Sequence, residues 1–134
     1  MSMQQPARLG RYQIEAHLGA GTYAEVYRAV DTVLKRTVAL KVLKPGFVSD
    51  ADAFARFTQE AQVAAGLVHP RIAWVWDLGE AEGRYFIAMR YVEGRSLEAL
   101  IQEQGKLDLA AALKITEQVG EALEHAHGLG LVHR

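Results

Sequence analysis

The sequence predicts an α+β fold: a small antiparallel sheet of five strands with one helix packed on it, followed by a helical unit. Three observations predict it. Three strand-like runs occupy the first third of the chain, broken by a glycine-bearing turn. A segment with helical spacing and two further strand-like runs come next. After Gly94 the pattern is helical to the end.

The elements follow in order. Residues 1–10 read as a flexible lead-in, because Gln, Pro and Gly offer little to pack. "YQIEAHLGAGTYAEVYRAV" holds two strand runs around a glycine turn, and "RTVALKVL" is a third, rich in β-branched residues. In "VSDADAFARFTQEAQVAAGL", Phe54, Phe57, Ala61 and Ala64 recur every three or four residues, which predicts a helix. Ser49 with Asp52 reads as its capping box, and Gly66 and Pro70 mark its exit. "RIAWVWDLGE" and "GRYFIAMRYV" read as two strands joined by a turn near Glu80 to Gly83. "SLEALIQEQG" is a short helix. "DLAAALKITEQVGEALEHAH" is a long one, with Asp108 as N-cap and Leu109, Leu113, Thr116, Val119 and Leu123 along one side. The boundary between sheet unit and helical unit falls near Glu93 and Gly94, giving units of 11–93 and 94–134.

Composition narrows the function classes. A chain of 134 residues suits one domain with a sizeable core. Fifteen Lys and Arg against 16 Asp and Glu leave no bulk charge to attract nucleic acid or an acidic membrane. Cysteine is absent, so there is neither a disulfide framework nor a cysteine-based zinc site. The N-terminus lacks the apolar run of a signal peptide, and no apolar stretch is long enough to span a bilayer. A cytoplasmic setting is the expectation, with any membrane anchor of a longer parent lying outside this chain.

Gly19 and Gly21 lie between two strand runs, where backbone N–H groups can approach an anion without an intervening Cβ. A dinucleotide-binding reading would require a helix directly after them, but "EVYRAV" alternates as a strand. A Walker A reading would require Lys-Ser or Lys-Thr after the last glycine, and none is there. An anion-holding hairpin or an ordinary hairpin turn remains. Lys41 closes "VALK" on the next strand, on the same face as Ala39, where a flat ring could lie beside phosphates. Glu60 flanks the packed side of the first helix and can reach a lysine on the neighbouring sheet. Each residue alone has a plain reading as an exposed charge; the three signals together favour a phosphate site.

At these residues the chain resembles the protein kinases, most of all the bacterial serine/threonine kinases of eukaryotic type. "LGAGTYAEVYRAVD", "VALKVL", "FTQEAQVAAGLVHPRI", "YFIAMRYVEGRSL" and "ALEHAHGLGLVHR" carry the resemblance, in the family's order. It implies a kinase N-lobe followed by the first two helices of the C-lobe. It also implies ATP as ligand, with Mg in the intact parent. Gly19, Ala20, Gly21, Thr22, Tyr23 and Ala24 would form the loop over the phosphates. Leu18, Val26 and Ala39 would line the adenine site, and Lys41 would bind the α and β phosphates, held by Glu60. Met89 would stand as gatekeeper. Arg90, Tyr91 and Val92 would form the hinge, with the Arg90 C=O and the Val92 N–H on the adenine edge. His133 and Arg134 match the first two residues of the catalytic His-Arg-Asp.

The sequence departs from the family at Ala24, where a third glycine is usual, and at Arg90, where glutamate is common. Trp74 and Trp76 are expected on one strand face, packed toward the helix or the lobe boundary. His69 is given a packing or hydrogen-bonding role. His125 and His127, two apart on a helix, face different directions and do not suggest a metal site. After Arg134 the family's catalytic aspartate would follow, then an asparagine and Asp-Phe-Gly. The expectation is therefore a cut through a kinase domain, inactive alone, whose intact parent phosphorylates protein serine and threonine. A pseudokinase-like or regulatory module that binds nucleotide or protein is the alternative. The long helix's apolar side is expected to be exposed and to drive self-association.

Overall fold

The computed structural model describes residues 7–133; residues 1–6 of the expected lead-in and Arg134 lie outside them. The described chain forms a curled antiparallel sheet and helices, the α+β arrangement the sequence predicts. The strands are β1 (Arg8–Leu9), β2 (Tyr12–Ala20), β3 (Ala24–Asp31), β4 (Arg36–Leu43), β5 (Val75–Ala81) and β6 (Arg84–Arg90). The helices are α1 (Ala51–Ala65), α2 (Leu97–Gln104) and α3 (Leu109–Gly128), with a 3-10 turn at Pro45–Phe47. Sheet order is β1-β2-β3-β4-β6-β5.

The sheet has six strands where five were expected. The extra one, β1, lies in the stretch read as a lead-in, and its Leu9 is 1% exposed. Gly10, at φ 55°, turns the chain so that Leu9 pairs with Tyr12. A positive φ of this kind favours glycine.

Side-chain alternation along β4 divides the core in two. Val38, Leu40 and Val42 face a cluster with Leu9, Tyr12, Ile14, Tyr27, Phe86 and Ala88. Leu43, on the other face, joins Ala24 and Ile87 beneath Phe57 and Ala61 of α1. That second face also carries Ala39 and Lys41, and the packing that seats α1 brings Lys41 within reach of the helix. Among the described glycines the closest approach is at Gly79, where an added Cβ would come 2.7 Å from the Phe86 ring.

Helix α1 begins one residue later than the proposed capping box implies. Asp50, not Ser49, is the N-cap, and its carboxylate accepts from the N–H of Asp52 and Ala53. An aspartate cap also suits the positive end of the helix dipole. Asp108 caps α3 as expected, accepting from Ala111 N–H at 2.8 Å. The β5–β6 turn narrows to Glu82 and Gly83, at φ 54° and 74°, the doubly left-handed turn that matches strand twist.

The tryptophans depart from expectation. Trp74 precedes β5 and is not part of it. Arg90 lies over its ring at 4.6 Å, and Arg36 lies over Trp76 at 3.7 Å. The two indoles meet edge to face with centroids 5.5 Å apart. Trp76 remains 39% exposed, covered by a guanidinium and not packed under the helix.

The chain divides into two compact units. One holds the sheet and α1, as far as Gly66 and again over Ala73–Tyr91; the other holds Leu67–Ile72 and the chain from Val92 onward. Within the second unit the His69 and His125 rings lie 5.0 Å apart, and His69 Nδ1 accepts from Arg71 N–H. No residue of α2 or α3 is buried. Among the described residues no helix is long and apolar enough to cross a membrane.

Candidate functional site

The site is built by three neighbouring elements of the first unit. The β2–β3 hairpin closes with the Gly21 N–H donating to Ala24 C=O at 2.8 Å. Residues 21–23 form a turn between strands, not the start of a helix. A Cβ at Gly19 would meet nothing within 4 Å, and one at Gly21 only the Ala24 carbonyl at 3.9 Å. Neither glycine has a positive φ. The protein itself therefore gives neither position a steric need for glycine.

Across from this hairpin, Lys41 on β4 extends to α1, where its Nζ donates to Glu60 Oε1 at 2.6 Å. Phe57 and Ala61 are buried against the sheet, and this fixes the rotation of α1 that leaves Glu60 beside the packed stripe. The Lys41 side chain is 25% exposed and that of Glu60 is 60% exposed. A pair so open to water adds at most about 1 kcal/mol to stability, so its effect is mainly to orient the lysine.

A cleft of about 200 Å³ lies between hairpin and helix, lined by Gly21, Thr22, Tyr23 and Ala24 on one side and by Lys41, Arg56 and Glu60 on the other. Val26 stands opposite Lys41 in the β3–β4 ladder, and Ala39 stands between Arg28 and Met89. Met89 is half-buried and packs against the cluster under α1. Leu18 sits where the β2–β3 register slips, and is 47% exposed. Ala20 is exposed at the end of β2. Ala24 is only 4% exposed and packs with Leu43 and Phe57, so its methyl group belongs to the core.

The hinge candidates divide between the units. Arg90 ends β6 over Trp74, and Tyr91 closes the first unit. Hydrogen bonding to Tyr91, then to Glu15, pushes the Arg28 guanidinium above its ordinary pKa. Val92 opens the second unit and is exposed.

The sequence reading passed over Arg56. It lies one helical turn before Glu60, and its guanidinium meets the Tyr23 hydroxyl at 3.4 Å. The spacing i, i+4 to Glu60 was the available signal.

The protein kinase domain family matches residues 12–134. The chain is 45% identical over 125 residues to the serine/threonine-protein kinase PrkC of Bacillus subtilis, covering 93% of this chain and 19% of that protein. It is 41% identical over 128 residues to the serine/threonine-protein kinase PknD of Mycobacterium tuberculosis, covering 96% of this chain and 19% of that one. A solved structure of the Mycobacterium tuberculosis PknI kinase domain, in a mutant form, superposes with a TM-score of 0.79 at 35% identity; it covers 100% of this chain and 55% of that one. The chain thus spans about a fifth of these two curated relatives and about half of the solved domain. Sequence and fold agree over almost every residue, and on that agreement the chain belongs to the protein kinase domain family.

Proposed function

We propose that this chain is the nucleotide-holding part of a serine/threonine protein kinase, and that ATP is its ligand. The observation that carries the reading is the 2.6 Å contact between Lys41 and Glu60 beneath a hairpin whose glycines no protein atom crowds. The space a Cβ would fill at Gly19 and Gly21 suits the close approach of phosphate oxygens to backbone N–H groups. Lys41 supplies a point charge for the α and β phosphates, and Glu60 keeps its chain extended toward them. Leu18, Val26, Ala39 and Met89 supply apolar surface for the adenine. The backbone C=O of Arg90 supplies a hydrogen bond that the resemblance assigns to its edge.

ATP brings the transferable γ-phosphoryl group, with Mg as its counterion in the intact parent. The residues here bind and orient; they do not complete a transfer site. The 134 residues contain no Asp-Phe-Gly and no aspartate directly after a His-Arg pair. Phosphoryl transfer depends on positioned charge as much as on binding. The chain alone is therefore inactive in this reading, and the whole protein phosphorylates serine and threonine hydroxyls of protein substrates in a cytoplasmic setting.

The test is a calorimetric titration with ATP and Mg on the chain and on Lys41→Met. Loss of one charge-assisted contact lowers affinity roughly tenfold or more. An unchanged affinity would remove Lys41 from the site. Phosphotransfer by the chain that vanishes in Lys41→Met would overturn its assignment as inactive alone.

A further inference from the structure

We propose that Arg56 and Tyr23 form a latch that pins the tip of the glycine hairpin to α1, which makes both of them positioning residues for a bound nucleotide's phosphates. The second half of this proposal rests on the nucleotide reading above; the latch itself does not.

Tyr23 is tied down in three ways. Its backbone C=O accepts from the Lys44 N–H at 2.8 Å, which fastens the hairpin tip to the end of β4. Its ring meets Phe47 edge to face at 4.9 Å, on the apolar ground beside the cluster under α1. Its hydroxyl faces the Arg56 guanidinium at 3.4 Å. Gly21 and Thr22, its neighbours on the tip, are exposed. Tyr23 is therefore the residue through which the tip is held.

Of the three ties, only the one to Arg56 comes from α1, the helix that carries Glu60. Arg56 and Glu60 lie one turn apart and both line the cleft. A displacement of α1 would part Glu60 from Lys41 and, in the same motion, release the hydroxyl of Tyr23. The latch thus couples the height of the hairpin to the arrangement of the lysine–glutamate pair. A long hydrogen bond between partly solvated groups is weak, so the coupling tunes the hairpin without locking it.

The experiment measures amide hydrogen exchange in the ligand-free chain, for the wild type, Tyr23→Phe, Arg56→Met and the double variant. The reporters are the N–H groups of Gly21 and Lys44, both bonded within the hairpin tip or to it. Each single change speeds their exchange roughly two- to tenfold, the double variant goes no further than either single one, and amides inside β4 keep their protection. Unchanged exchange in Tyr23→Phe, or effects that add in full, would overturn the latch. In a second arm, both single variants weaken ATP and leave adenosine unaffected, because the hairpin tip serves the phosphates. Equal losses for both ligands, or none, would overturn the positioning role. If the wild type binds neither ligand, the nucleotide reading fails, and the exchange data still decide the latch.

Discussion

Asp31 carries a charge with no exposure to solvent, at the turn that joins β3 to β4. Burial pushes its carboxyl toward the neutral form. The N–H groups of Leu34 and Val33, each 3.0 Å from Oδ1, oppose that, helped by the charges of Arg11 and Arg36, and the net pKa lies below the ordinary carboxylate value. The Arg11 guanidinium stands 3.3 Å from Oδ2. A depressed carboxyl contributes stability that is present above its unfolded pKa and lost as pH falls through its folded one. Asp31→Asn should therefore destabilise the chain by about 1–3 kcal/mol at neutral pH. The deficit should stay level at neutral pH and shrink as pH falls below the ordinary carboxylate pKa of about 4, where the unfolded wild-type chain takes up a proton that the native Asp31 still resists. Urea unfolding of both proteins across that range checks it; a deficit that does not change with pH would remove the charge from the explanation. Lys41 and Glu60 differ in kind. Their pair is open to water, so its removal should affect ligand affinity far more than stability.

Among the elements, α1 matters most to the site, because its rotation determines where Glu60 and Arg56 point. Its start depends on Asp50, whose carboxylate satisfies two N–H groups that the helix cannot bond internally. Asp50→Ala should cost about 1 kcal/mol and fray the first turn, whereas Ser49→Ala should cost almost nothing. Thermal melts of the two variants separate them, and equal losses would contradict the assignment of the cap. The sequence could not make that choice, since serine and aspartate both cap helices and here they are adjacent. It revealed α1 and β4 well, because each buries one periodic face: Phe57 and Ala61 in the helix, Val38, Leu40 and Val42 in the strand. It did not reveal β1, because two residues have no period and Leu9 is buried only through its pairing with Tyr12. It placed Trp74 inside a strand because apolar alternation continues past the point where the ladder begins. At the site, Lys41 and Glu60 were legible because both sit on periodic elements whose faces were clear. Arg56 was not, since an exposed arginine on a helix reads as a solvated charge.

On the scale of the whole molecule, the two units differ in how much they bury. Among the described residues, all sixteen buried apolar residues and the buried Asp31 lie in the unit of sheet and α1. The described residues of the second unit contribute none, although α3 runs for 20 residues and carries an apolar stripe. Leu109 is 75% exposed, Leu113 61% and Val119 50%. Contiguous apolar surface of this kind is uncommon on a soluble monomer, and the net charge of −1 gives little repulsion between copies. Burying these three side chains between two copies would gain roughly 1–3 kcal/mol for each, before the cost of association. The chain should therefore self-associate as its concentration rises, and sedimentation velocity should show a mass that grows with loading. Leu109→Gln, Leu113→Gln and Val119→Gln combined should return it to a monomer and leave the unfolding of the sheet unit unchanged, because none of the three contributes to its core. The cap at Asp108 keeps α3 helical in the variant, and glutamine has a good helix propensity, so the change acts on the surface and not on the helix. A wild-type chain that sediments as a monomer at high concentration would show that this stripe is too dispersed to drive association.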